Sequence, residues 1–94
     1  ITRLMELDGV KYLNGTTSQS VKTGSGTFYG IIVNSHTSGT LKFWDNTAGS
    51  GTVIMNTFSF PAGSGFYTFP KGISFYTGLF ATIGGTIDYT IIYK

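Results

Sequence analysis

The run Thr86-Ile87-Asp88-Tyr89-Thr90-Ile91-Ile92-Tyr93 puts Ile87, Tyr89, Ile91 and Tyr93 on one side of an extended chain. Thr86, Asp88, Thr90 and Ile92 fall on the other. A period of two with one apolar and one mostly polar face is the signature of a half-buried β-strand. Reading back from it, Gly84-Gly85 is a turn and Leu79–Ile83 an earlier run, with Gly78 marking a bend or bulge. Ile73–Tyr76 and the aromatic Phe66–Phe69 precede it, the latter stopped by Pro70. Pro61 ends Thr52–Phe60, because proline cannot donate to a ladder. Thr40–Asp45 and Thr52–Phe60 flank the small-residue stretch Asn46–Gly51, which reads as a hairpin whose loop projects into solvent.

Further toward the start, Thr27–Ser35 is the strongest run. Strict alternation there groups Phe28, Ile32 and Asn34 on one face and Tyr29, Ile31 and Val33 on the other. Apolar groups on both faces predict a strand covered on both sides, or one face reserved for a neighbouring subunit. Ser18–Thr23 reads as a weak edge strand, Val10–Leu13 as a strand between turns at Asp8-Gly9 and Asn14-Gly15, and Thr2–Leu7 as a weak first run. No window sustains apolar residues at i, i+3, i+4 and i+7. The prediction is an all-β fold: a two-sheet antiparallel sandwich, Greek-key or jelly-roll-like, with seven or eight strands. It occupies residues 1–94 as a single domain, with residues 1–22 as an N-terminal arm or edge strands.

At 94 residues the chain buries only roughly 60–65% of its unfolded surface, so its own stability is modest. It has no cysteine, so neither disulfides nor thiolate zinc support it, and oligomerisation becomes the expected extra source of stability. Charged residues make up 11%, against about 25% in an average soluble protein. Such a surface suits a domain packed in an assembly or outside the cell better than a free cytosolic monomer. The net charge of +2 comes from basic residues scattered from Arg3 to Lys94, with no stripe for nucleic acid. No apolar run approaches the roughly 18–20 residues of a membrane-spanning helix, and no signal peptide is visible. The start at Ile1 rather than Met points to upstream residues removed.

The chemistry-bearing residues are few. Gly-Ser-Gly occurs at Gly24–Gly26, Gly49–Gly51 and Gly63–Gly65, each before a β-rich run. A phosphate loop needs a following helix and a Lys-Ser/Thr, which are missing, so these read as turns. His36 is the only histidine. Ser35 and Ser38 stand near it in sequence, but strand alternation and the missing nucleophile-elbow pattern argue against a triad. Four acids, Glu6, Asp8, Asp45 and Asp88, leave a paired-carboxylate site unencoded. Glu6 and Asp8 share a strand face, yet calcium loops are denser in oxygen ligands, and Asp8-Gly9 and Asp45-Asn46 are turn entries. The expectation is therefore no enzyme, no cofactor and no metal. Aromatic residues remain: with Leu41 and Phe43 inward, Trp44 is left half-exposed beside Thr40 and Lys42. Trp44, Tyr29 and Tyr76 are the candidate interface residues.

From about Ser38 to Tyr93 the sequence resembles small β-sandwich accessory proteins of tailed-phage virions. The likeness is carried by Ser38–Asp45 (Ser-Gly-Thr-Leu-Lys-Phe-Trp-Asp), Thr57–Pro61, the Pro61–Gly63 turn, Phe66–Pro70, the Gly78-Leu79 bend and Gly85–Tyr93. It implies a capsid-decoration or head-fibre component, often a homotrimer, attached to a major capsid protein lattice on the outside of the virion. It supplies no active-site residue. The alternative expectation is a carbohydrate-binding or adhesion module that uses Trp44 and a tyrosine as its platform. A small glycosidase or esterase relying on Asp45, Asp88 or His36 is the third reading.

Overall fold

The computed structural model describes residues 10–61 and 65–94. Among them there is no helix, and six strands carry most of the residues: β1 (Lys11–Gly15), β2 (Gln19–Thr23), β3 (Gly26–Asp45), β4 (Thr52–Ser59), β5 (Gly65–Phe75) and β6 (Gly78–Tyr93). Every pairing is antiparallel. The run Thr2–Leu7, the Asp8-Gly9 turn and most of the Pro61–Gly63 turn lie outside the described residues.

The described residues form six strands where seven or eight were expected of the whole chain, and the merging of shorter runs has a physical cause. The chain passes through Gly39, Pro70 and Gly84-Gly85 without leaving the sheet, so pairs of shorter runs merge into β3, β5 and β6. Neighbouring strands supply ladder bonds on either side of each break, and a register shift absorbs the irregular residue. Pro70 is tolerated because β5 pairs only with β3, so its outer side has no ladder bond to lose among the described residues. Asn14-Gly15, expected as a turn, instead closes β1 opposite Thr90 and Tyr89.

β3 and β6 form one long ribbon, from Phe28 opposite Tyr93 to Trp44 opposite Phe80. That ribbon is doubled over. Phe28 and Phe43 are fifteen residues apart on β3, which in a straight strand is about 50 Å at 3.3 Å per residue. Their ring centroids are 4.5 Å apart. The fold point lies where the ladder breaks register between Thr37 and Thr40. Two left-handed residues sit there, Ser38 (φ 51°) and Gly85 (φ 69°). Both ends of the ribbon therefore return to one end of the molecule. Lys94 N–H donates to the Thr27 carbonyl (2.8 Å) and Thr27 N–H to the Lys94 carbonyl (3.1 Å). Lys22, on the strand that pairs with the start of β6, reaches the carbonyl of Lys94 at its far end (3.3 Å).

Each half of the ribbon gathers its own flanking strands, β5 and β1 on the first half, β4 and β2 on the second. The core lies between the halves. Phe28, Ile31 and Val33 meet Leu41, Phe43, Leu79 and Ala81, together with Ile87, Tyr89 and Ile91, all of them buried. Burying each such large side chain stabilises the fold by roughly 1.5–3 kcal/mol. Phe58 and Phe60 close the side of the molecule against Tyr67 of β5, with centroids 5.6 and 5.4 Å away. The inward set of the last strand is the one its alternation predicts. The inward set of the first half of β3 is not. A bulge between Phe28 and Gly30 flips the parity, so Phe28, Ile31 and Val33 point in and Ile32 and Asn34 point out. Gly30 permits it, since a Cβ there would strike the Tyr67 carbonyl.

Candidate functional site

The hairpin Thr40–Asp45 and Thr52–Ser59 forms as expected, Asp45 opposite Thr52, with an exposed loop between. Trp44 is half-buried on the outward face of the second half. Its Nε1–H donates to Thr82 Oγ1 at 3.0 Å, and Lys42 Nζ stands 4.4 Å from the ring centroid. Tyr29 belongs to the first half, where a Cβ on Gly72 would lie 3.0 Å from its ring. Tyr76 sits in the turn between β5 and β6 and is 76% exposed. Because the halves face each other, their outward faces point apart. Trp44 lies on the second half of the ribbon and Tyr29 on the first, while the Tyr76 amide is held by Asp45, the neighbour of Trp44.

The three candidate acid–base side chains, His36, Asp45 and Asp88, each hydrogen-bond within the fold. His36 Nδ1 accepts from Gly39 N–H at 3.0 Å, and Nε2 lies 2.5 Å from the Pro61 carbonyl, which fixes the proton on Nε2. Both nitrogens are engaged across the fold point. Asp88 Oδ1 accepts from Asn34 Nδ2 at 3.3 Å, beside that same fold point. Asp45 lies at the other end, where its Oδ1 accepts the amides of Tyr76 (3.0 Å) and Thr77 (2.8 Å) and reaches that of Gly78 (3.4 Å). Among the described residues no three His, Asp or Glu gather as metal ligands; Glu6 and Asp8 lie outside them.

Partial desolvation pushes the Asp45 carboxyl up, but the amides of Thr77, Tyr76 and Gly78 together outweigh it and hold it below the usual carboxylate range. A folded-state value below the unfolded one means that the carboxylate stabilises the fold above the unfolded value, near pH 4. That contribution is lost as pH falls through the folded value. Asp45→Ala is expected to lower stability by about 1–2 kcal/mol at neutral pH, the lower part of the range for charged hydrogen bonds because the group is partly exposed. Urea unfolding of both proteins at pH 7 and at a series of pH values well below 4 checks this: the gap should narrow as pH falls through the folded value. A gap that is the same at every pH would contradict the assigned role.

One constellation was hidden in the sequence by the Gly30 bulge. On the outward face of the first half, Phe66, Ile32, Thr90 and Asn14 line up across β5, β3, β6 and β1, with Tyr12 opposite Ile92 in the adjoining row. Phe66 is 72% and Tyr12 70% exposed. Between them runs a side-chain ladder. Asn34 Nδ2 donates to Asp88 Oδ1 (3.3 Å) and Thr90 Oγ1 (3.2 Å), and Thr90 Oγ1 donates to Asn14 Oδ1 (2.5 Å). A shallow groove lined by Ile32, Asn34, Gly65 and Phe66 follows its edge. Asp88 is the one charged side chain in these rows. Comparison with protein-family models, curated proteins and solved structures gave no match.

Proposed function

We propose that the chain is a non-enzymatic structural module of a virion, which decorates or cements a phage capsid as a homotrimer bound to the major capsid protein lattice. In this reading the doubled ribbon is a jelly-roll-like two-sheet sandwich, with β5-β3-β6-β1 as one sheet and β4-β3-β6-β2 as the other. The observation that carries the proposal is a division of labour. His36 and Asp45 are spent on holding the backbone, while the large side chains Tyr12, Phe66 and Tyr76 are turned outward. A chain built in this way offers surfaces rather than reactive groups.

The strand edges support a particular way for copies to join. β1 and β2 carry Lys11 and Lys22, and β5 carries Pro70 and Lys71, all of which discourage pairing with another chain. β4 carries no charged residue and no proline. Two register shifts bend it, and its Val53 and Phe58 remain exposed at 39% and 41%. Burying this edge in an oligomer removes unpaired backbone groups and apolar surface together. Many weak attachments to a repeating lattice then reinforce one another, because each further contact is effectively intramolecular.

Solution mass by light scattering at low micromolar concentration tests the proposal. The expected result is three times the 10.1 kDa chain mass, reduced to one chain by Phe58→Lys, which places a charge on the β4 edge. A wild-type protein that stays at 10.1 kDa would count against it.

A further inference from the structure

The geometry points to the outward face of the β5-β3-β6-β1 half as a binding site for a neutral oligosaccharide lying across the strands. The argument begins with hydrogen-bond valence. The Asn34 amide donates to Asp88 and to Thr90, and the Thr90 hydroxyl has given its proton to Asn14. Among the described residues, Asn34 Oδ1 and Asp88 Oδ2 have no donor and Asn14 Nδ2 no acceptor, which leaves two acceptors and a donor for a ligand. They are held in place by one another, so little side-chain freedom is lost on binding. A sugar hydroxyl donates and accepts at once, so two acceptors and a donor close together match neighbouring sugar hydroxyls.

The aromatic residues supply the second half of the match. Phe66 on β5 and Tyr12 on β1 stand at the two margins, three strand spacings or roughly 14 Å apart. Their exposed rings can each take the apolar C–H face of a pyranose, as amphipathic ligands require. Charge excludes other occupants. Among the described residues these rows hold one carboxylate and no Lys or Arg, so they offer no counter-charge to a phosphate or an anionic lipid. A second copy packed face to face would bury Asp88 without a cation, which costs several kcal/mol. Trp44 is less suited to be the platform, since its Nε1–H is already given to Thr82 and Lys42 lies over its ring.

The test is a printed array of neutral and sialylated glycans, followed by amide NMR titration of the full chain with the best neutral oligosaccharide on it. The expected result is shift changes at Tyr12, Asn34 and Asp88, and a dissociation constant raised about tenfold or more by Phe66→Ala and by Asn34→Ala. Tyr76→Ala, at the end of the molecule, should bind as the wild type does. Thermal melts of each variant separate lost binding from lost folding. If Asn34→Ala melts early, Phe66→Ala, whose side chain is mostly in solvent, decides alone. Recognition confined to sialylated glycans, no neutral glycan bound on the array, or binding that survives Phe66→Ala would each overturn the inference. None of these results alters the solution mass, so this site and the assembly proposal stand or fall separately.

Discussion

Phe28→Ala is expected to remove about 3–5 kcal/mol of stability, a large share of what so small a domain possesses. Phe28 is fully buried, and its ring meets Phe43 at 4.5 Å and Phe69 at 5.3 Å. The Phe43 contact joins the two halves of the folded ribbon at the end away from the fold point, and Phe69 backs Phe28 from the same half. Ile32→Ala, four residues along the same strand but on the outward face, should cost far less. Urea denaturation of both variants gives the comparison, and coupling between Phe28 and Phe43 in a double-mutant cycle should be about 0.5–1.5 kcal/mol. A Phe28→Ala loss no greater than that of Ile32→Ala would mean that the halves do not pack on each other as described.

Gly85→Ala tests the fold point itself. At φ 69° a side chain is strained by about 1–2 kcal/mol wherever it stands. Here a Cβ would also press on the Ser38 carbonyl and lie 3.0 Å from the Thr37 oxygen, and backbone cannot swing aside. The expected total is about 3 kcal/mol or more, a drop in melting temperature of roughly 12–24 °C for a domain of this size. Gly24 makes the control. Its φ is 91°, but nothing lies within 4 Å of a Cβ there, so Gly24→Ala should show the conformational strain alone. Equal losses at the two positions would show that the bend leaves room for a side chain.

How legible this architecture is in the sequence depends on whether local alternation survives. In Thr86–Tyr93 it does, and Ile87, Tyr89 and Ile91 are buried as their spacing predicts. The hairpin around Asn46–Gly51 is equally plain, because small residues interrupt two β-rich runs. Glycine and proline mislead elsewhere. Gly39, Pro70 and Gly84-Gly85 look like ends of strands, yet paired neighbours carry the sheet through them, a long-range effect that local spacing does not encode. The candidate surface residues suffered most from this. One bulge at Gly30 turns Ile32 and Asn34 outward, and only the register then brings them beside Phe66, Thr90 and Asn14. Trp44 was legible as half-exposed because Leu41 and Phe43 keep strict alternation around it. The roles of Asp45 and His36, which bind backbone far along the chain or across a bend, have no sequence signal.

The division of labour between a self-contained core and outward apolar groups leads to one central expectation, that copies of the chain join at their sheet edges. Amide hydrogen exchange of the wild-type protein, followed from low to high concentration, tests it most directly. The account predicts that those amides of Thr52–Ser59 that point away from β3 exchange readily in the dilute chain and become protected as concentration rises, while those of Gly78–Tyr93 stay protected throughout. Exchange of Thr52–Ser59 that is independent of concentration would contradict the account.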